Sequence, residues 1–205
     1  MGCTASSTPV SAEILSALPT ERIEIAPARR RDPAVVPLKP TKNPTPGDVE
    51  LWSAIDTGDT VAALLLLQSG TADATFVGAR GRSLLHRACF RRLVKVSSRL
   101  LECGAPVNVV DDDKVTPLHV AAGAPELTSV VERLIAAGAA LDARCRLGAT
   151  ALQYACESGQ ESSALALIAA GANVRTKDKF GVTPLGCCSA GSPIANALRA
   201  AGAKS

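Results

Sequence analysis

The clearest pattern in the chain is a short, mostly apolar segment that begins with the residues typical of a helix start. It covers residues 115–122 and reads VTPLHVAA. Thr116 has a hydroxyl that can cap a helix, and Pro117 suits the first helical position, where no backbone donor is needed. Leu118 and the small residues after it then predict a short helix that can approach a neighbouring helix closely.

This pattern recurs at a nearly fixed interval along most of the chain. Its anchoring leucine is found at Leu85, Leu118, Leu152 and Leu185, in steps of 33, 34 and 33 residues, and a fainter copy begins at Leu51. A glycine follows each leucine after 17 to 20 residues; these glycines are Gly70, Gly104, Gly138, Gly171 and Gly202. Such a period indicates a repeat array, in which each unit packs on its neighbours.

The TPLH string and the small-residue helix after it, at a period near 33 residues, resemble the ankyrin repeat. The resemblance implies an all-α solenoid of stacked helix–turn–helix units with short β-hairpin-like loops. It extends over residues 47–205, with degenerate terminal units, and the units are about 47–80, 81–113, 114–147, 148–180 and 181–205. A one-residue insertion near residues 124–126 accounts for the longer step between leucines.

Several residues carry the repeat motif and are expected to hold the stack together. They are Thr116, Pro117, Leu118, His119, His86, Thr150, Thr183 and Pro184. The resemblance implies that the two histidines hydrogen-bond within and between units. Lys114 stands where the hairpin usually has Gly, so we expect a strained turn there, because a positive φ is costly for lysine. In the first unit, residues 61–67 are apolar on most sides, which predicts a helix packed between helix layers.

The seven cysteines raise the question of a disulfide framework or a zinc site. Cys89 and Cys156 fall at the repeat position that Ala122 occupies in the best copy, and Cys188 falls one position earlier. Cysteines at such positions are expected to be small buried hydrophobic residues. The chain has no C-x-x-C and only two histidines, so we expect no metal site and a reducing, intracellular compartment.

The composition argues against catalysis and against nucleic-acid binding. No nucleophile stands in a recognisable motif with a base, and the P-loop pattern is absent, so we expect no enzyme activity and no cofactor. The net charge of +3 is small, and one Trp, one Tyr and three Phe are too few for an extensive base-stacking platform. No segment has the pattern of a membrane-spanning helix or of a signal peptide.

Residues 1–46 differ in character from the repeats. They contain eight of the thirteen prolines and leave room for only a short helix near residues 11–18, which predicts a disordered, Pro-rich arm. The first residues, MGCTAS, fit the pattern for N-myristoylation of Gly2, and Cys3 is a candidate for palmitoylation. One myristoyl chain binds a bilayer marginally, whereas two acyl chains anchor stably. We therefore expect a peripheral protein on the cytosolic face of a membrane; the alternative is that this start is coincidental.

The resemblance implies that partners bind the hairpin tips and the inner face of the first helices. Carried onto this sequence, the candidate residues are Arg80, Arg82, Phe90, Arg91, Asp112, Asp113, Arg146, Leu147, Lys179 and Phe180. Arg and aromatic residues are enriched at binding hot spots, and several arginines, Arg87 and Arg92 among them, are expected to gather around Phe90. The alternative is a solvated basic face that residues 111–113 partly neutralise.

The sequence thus favours a monomeric, non-enzymatic adaptor or scaffold that binds protein partners of unknown identity and is held at a membrane by lipid. The alternative is a soluble ankyrin-repeat regulator, or a subunit of a larger complex, with no lipid anchor.

Overall fold

The computed structural model describes residues 33–37, 43–189 and 191–203. Gly2, Cys3 and most of the predicted arm lie outside these described residues. The described residues form ten α-helices, with bounds Pro46–Thr57 (α1), Thr60–Ser69 (α2), Leu84–Phe90 (α3), Val94–Glu102 (α4), Pro117–Gly123 (α5), Thr128–Ala136 (α6), Ala151–Glu157 (α7), Glu161–Ala169 (α8), Pro184–Cys187 (α9) and Pro193–Ala200 (α10). A short 3₁₀ turn, Ala79–Gly81, lies in the first hairpin.

The helices pair in sequence order and stack in two layers. The first helix of each pair packs on the first helix of the next, from α1 to α9, and the second helices stack in the same way from α2 to α10. The leucines that set the repeat interval lie between these layers; Leu51, Leu85, Leu118 and Leu152 are fully buried. Leu185 of the short last unit is only partly buried. The predicted all-α solenoid is therefore confirmed.

One prediction for the first unit is wrong. Helix α2 was expected to lie between helix layers, but its main packing partners among the described residues are α1 and α4. Val61 and Leu65 are therefore 69% and 60% exposed. The apolar sequence of α2 does not bury a second face because no unit lies beyond it within the described residues.

The first helices of the second, third and fourth units begin with the same hydrogen-bonded cap, and a side chain from each of these caps reaches the next unit. His86 accepts a hydrogen bond at Nδ1 from the Ser83 N–H (3.2 Å), so its proton is on Nε2, which donates to the Val115 carbonyl at 2.9 Å. His119 makes the equivalent bonds one unit later, with 3.1 Å from Nε2 to the next carbonyl. The roles implied for both histidines match these bonds.

Gln153 takes the place of histidine in the fourth unit, which the sequence did not lead us to expect. Its Oε1 accepts from the Thr150 N–H at 3.0 Å, and its Nε2 donates to the Val182 carbonyl at 2.8 Å. An amide thus supplies the same acceptor and donor as a neutral imidazole. Gly186 occupies this position in the last unit, so the series of side-chain bonds ends there.

The hairpin at Lys114 has the backbone conformation that the sequence indicated. Lys114 has φ = 57°, and the equivalent Gly148 and Gly181 have φ of 81° and 78°. A side chain with a Cβ is disfavoured in this left-handed region. The third unit therefore keeps the turn of its neighbours at a local energetic cost.

Part of the predicted arm has a defined place on the repeats. Strand β1 (Val36–Pro37) pairs in parallel with β2 (Val109–Val110), and the Val36 N–H donates to the Asn108 carbonyl at 2.9 Å. Pro37 has no N–H to offer, which suits an edge strand. The prediction of a disordered arm did not anticipate this pairing, since two residues leave no periodic pattern in the sequence.

The histidine bonds make stability depend on pH in a defined window. Burial lowers the pKa of the His119 imidazole from 6.5 to about 4, and it also lowers that of His86. The unfolded chain therefore binds more protons between these pH values. Stability is fully present above pH 6.5 and falls as the pH drops towards 4, by at most about 1.4 kcal/mol per pH unit for one group.

We expect His119→Gln to fold as the wild type does and to reduce this pH dependence by about one proton, because glutamine makes the same bonds and does not titrate. His119→Ala should cost about 1–3 kcal/mol, because it leaves buried polar groups without a partner. Urea unfolding between pH 4 and pH 7 measures both effects. An unchanged slope in His119→Gln would contradict the assignment of the titrating group.

Candidate protein-interaction surface

The tips of successive hairpins are joined by one backbone hydrogen bond at each step. The N–H groups of Asp112, Arg146 and Lys179 donate to the carbonyls of Arg80, Asp113 and Leu147, at 3.1, 2.7 and 2.9 Å respectively. Seven of the predicted binding residues therefore lie along one continuous edge, which we call the hairpin ridge: Arg80, Asp112, Asp113, Arg146, Leu147, Lys179 and Phe180.

Asp113 links the charged side chains of three neighbouring tips. Its carboxylate lies 3.4 Å from Nη2 of Arg80 and 3.9 Å from Nε of Arg146. All three side chains are more than a third exposed. Exposed ion pairs contribute only about 0–1 kcal/mol, so a partner could exchange these contacts for its own at little cost.

Arg82 has a structural role that weakens it as a binding residue. Its Nε lies 3.5 Å from Oδ2 of the buried Asp111 carboxylate. The other oxygen of Asp111 accepts from the N–H groups of Asp113 and Val115, at 2.9 and 3.0 Å, and so fixes the hairpin. Around Arg80 and Arg82, the alternative of a basic face neutralised by aspartates describes the structure well.

The far end of the hairpin ridge carries apolar side chains in solvent. Phe180 is 75% exposed and Leu147 is 54% exposed. The backbone at Phe180 is nevertheless fixed, because its N–H and that of Val182 donate to the Asp178 carboxylate at 2.9 and 2.8 Å. The structure therefore presents these two side chains from well-anchored turns without using them in its core.

A second group of predicted residues lies at the end of α3. Phe90 is 62% exposed, and Arg91 beside it is exposed as well. Of the arginines expected to gather around Phe90, Arg87 is in cation–π contact with the ring, at 5.7 Å from its centroid. Arg80 and Arg82 pair with aspartates instead.

Arg87 is the residue in this area whose role the sequence did not reveal. Its guanidinium lies between two rings, at 5.9 Å from that of Trp52, and it forms an ion pair with Asp56 of α1. Trp52 also packs edge-on against Phe76, with 5.8 Å between ring centroids. In the first unit, Trp52 stands at the position that histidine occupies in the second and third units. This position was the signal in the sequence that could have pointed to a contact between Trp52 and the next unit.

Sequence models described as "Ankyrin repeat" match residues 80–112 and 147–179, and a model described as "Ankyrin repeats (many copies)" matches residues 100–155. Residues 80–179 are ankyrin repeats. The match agrees with the stacked helix pairs, the capped first helices and the cross-unit bonds described above. The first and last units of the stack lie outside the matched residues.

A human protein, SH3 and multiple ankyrin repeat domains protein 2, is similar to part of this chain. The two are 35% identical over 95 residues, which is 46% of this chain and 5% of the relative. The chain thus spans a small part of that protein. The ankyrin repeats support a protein-interaction role, since stacked repeats form extended binding surfaces.

Of the three cysteines expected to be small buried residues, two are buried. Cys89 is fully buried and Cys156 is 4% exposed, whereas Cys188 is half-buried. Burial raises the pKa of the Cys89 thiol to about 12. In the described ranges no group of three or more His, Cys, Asp or Glu side chains is arranged to hold a metal ion.

None of the helices in those ranges has both the length and the apolar character that a bilayer-spanning segment needs.

The two neighbouring arginines of α3 should respond differently to truncation. Arg87→Ala removes an ion pair and two ring contacts from a side chain that is only 20% exposed, and we expect a loss of about 1–2 kcal/mol. Arg91→Ala is the matched control and should change stability by less than about 0.5 kcal/mol. Chemical unfolding of both variants measures the difference. Equal losses would contradict the structural role of Arg87.

Proposed function

We propose that this protein is a non-enzymatic adaptor that binds protein partners through the hairpin ridge and the Phe90–Arg91 end of α3. The observation that carries the proposal is the exposure of Phe90, Leu147 and Phe180, each more than half in solvent. The stack buries Leu51, Leu85, Leu118 and Leu152 in its core and does not need these exposed side chains. Aromatic residues and arginine are the types that dominate binding energy at protein interfaces.

The rigidity of the ridge supports this role. Backbone hydrogen bonds join each tip to the next, and the Asp111 and Asp178 carboxylates fix two of the turns. A surface that is already ordered loses little conformational entropy when a partner binds. The exposed charges of Arg80, Asp113 and Arg146 would then select a partner of complementary charge pattern.

We further propose that the adaptor acts at the cytosolic face of a membrane. Gly2 and Cys3 fit the pattern for N-myristoylation and neighbouring palmitoylation. Two acyl chains would hold the protein stably, whereas the myristoyl chain alone would bind reversibly. A soluble regulator, or a subunit of a larger complex without a lipid anchor, remains the competing function. The proposed adaptor is monomeric and needs no cofactor.

The anchor is tested by expressing the full chain in eukaryotic cells supplied with a myristate analogue. We expect wild type to carry an acid-stable label and to sediment with membranes, and Gly2→Ala to lose both. Cys3→Ser should keep the label but shift to the soluble fraction, because one acyl chain binds marginally. Unlabelled wild type would favour the soluble regulator.

The binding surface is tested with a triple variant, Phe90→Ala/Arg91→Glu/Phe180→Ala. Its exposed positions lie outside the core, so we expect wild-type stability and at least a tenfold loss of affinity for partners captured by the wild type, as expected when hot-spot residues are truncated. Leu165→Ala/Lys95→Glu is the matched control, since it makes the same kinds of change on exposed residues of α8 and α4. Full retention of partners by the triple variant would refute the surface.

A further inference from the structure

Three thiols meet at the boundary between the fourth and fifth units. Cys156, Cys187 and Cys188 line one cavity of about 170 Å³ between α7 and the segment that joins α9 to α10. The repeat register brings them together: Cys156 follows its anchoring leucine by four residues and Cys188 follows its own by three. Stacked units can bring such adjacent repeat positions of successive units close together.

Two of these thiols come from neighbouring units. Cys156 belongs to α7 and Cys188 directly follows α9, and both line the same cavity. Burial raises the pKa of the Cys156 thiol, and the nearby Cys188 thiol raises it further. The Cys188 S–H donates to the Pro184 carbonyl at 3.3 Å. A buried thiol on α7 therefore shares one cavity with a half-buried thiol after α9.

The segment that carries Cys188 follows a short and incompletely capped helix. Helix α9 has four residues, Pro184–Cys187, against seven in α7. Gly186 cannot close the capping box that His119 and Gln153 close in their units. Small local openings here would let the two sulfurs adjust to the geometry of a covalent bond.

We propose that Cys156 and Cys188 are an oxidative modification site, at which a hydroperoxide converts the thiol pair into a reversible disulfide. Peroxide first oxidises the Cys188 thiol to a sulfenic acid and releases one water. The Cys156 sulfur then attacks the Cys188 sulfur, the S–S bond forms, and the hydroxyl leaves with a proton as a second water. The sulfur pair loses two electrons and two protons to the peroxide, and a dithiol reductant reverses the change.

The Cys156 thiol, which attacks in the second step, is mostly protonated at neutral pH. Burial raises the pKa of both the Cys156 and the Cys187 thiols, so little thiolate is present to react. Disulfide formation should therefore need sustained oxidant. Cys103 is exposed but lies outside this cavity.

Oxidation would fasten the last unit to the one before it. The bond would join α7 to the start of the α9–α10 connection and close a loop over residues 156–188. Such a cross-link restricts the opened forms of the loop more than the closed form. The inference depends neither on the hairpin ridge nor on the lipid anchor.

The test uses the full chain, reduced and then treated with hydrogen peroxide, with remaining thiols alkylated before tryptic digestion without reductant. We expect a disulfide-linked pair of peptides, residues 147–175 and 180–199, which dithiothreitol separates. The link should persist in Cys187→Ser, the matched control from the same cavity, and disappear in Cys188→Ser. Because Cys188 is half-buried, its variant should fold even if Cys156→Ser does not.

Amide hydrogen exchange supplies a second readout. Exchange over residues 191–203 should slow by roughly tenfold in the oxidised wild type and not in oxidised Cys188→Ser. A bond between Cys187 and Cys188, a link retained in Cys188→Ser, or sulfinic acids without any link would each overturn the proposed pair. Unchanged exchange in linked protein would overturn its effect on the last unit.

Discussion

A hydrogen bond that leaves one unit and ends on the backbone of the next, repeated in the second, third and fourth units, is the interaction on which the stack depends. His86, His119 and Gln153 each accept from the start of their own helix and donate to a carbonyl one unit further on. One side chain therefore both caps its own helix and fixes the position of the following hairpin. Because these groups are buried, a broken bond would leave polar atoms without water or partner. Apolar burial holds the layers together, and this bond fixes their register.

The same constraint distinguishes the residues that hold the units together from the residues that are free to contact a partner. Positions that face the next unit are occupied by leucine, alanine and cysteine, and the buried polar side chains His86, His119 and Gln153 are hydrogen-bonded there. The hairpin ridge lies at the edge of this arrangement, where the backbone is fixed but the side chains are not needed for packing. Phe180 and Leu147 are the clearest examples. The scaffold can thus vary its contacts at the ridge without altering the bonds that hold the units together.

The sequence predicted the repeat interval, the buried leucines and the helix caps, because each depends on short spacings that recur. The histidine bonds were implied by the resemblance to the ankyrin repeat. The sequence did not predict that Gln153 would replace histidine, although an amide offers the same donor and acceptor. The sequence could not show that Arg87 has a structural role and that Arg91 does not. Only the orientation of α3 against Trp52 decides which of the two arginines contacts the neighbouring unit. The pairing of Val36 with the second unit involves too few residues to produce a pattern. Whether the candidate surface binds a partner depends on that partner's shape and charge, which this chain does not encode.

The short strand pair β1–β2 also determines where a mechanical load enters the molecule. Covalent order would suggest that a pull on the first residue reaches α1, at the end of the stack. Within the described residues, the pairing of Val36 and Pro37 with Val109 and Val110 places the first point of resistance at the base of the hairpin between the second and third units. Tension that reaches residue 33 is therefore borne at the flank of the array, and α1 is loaded only after the two strands have separated.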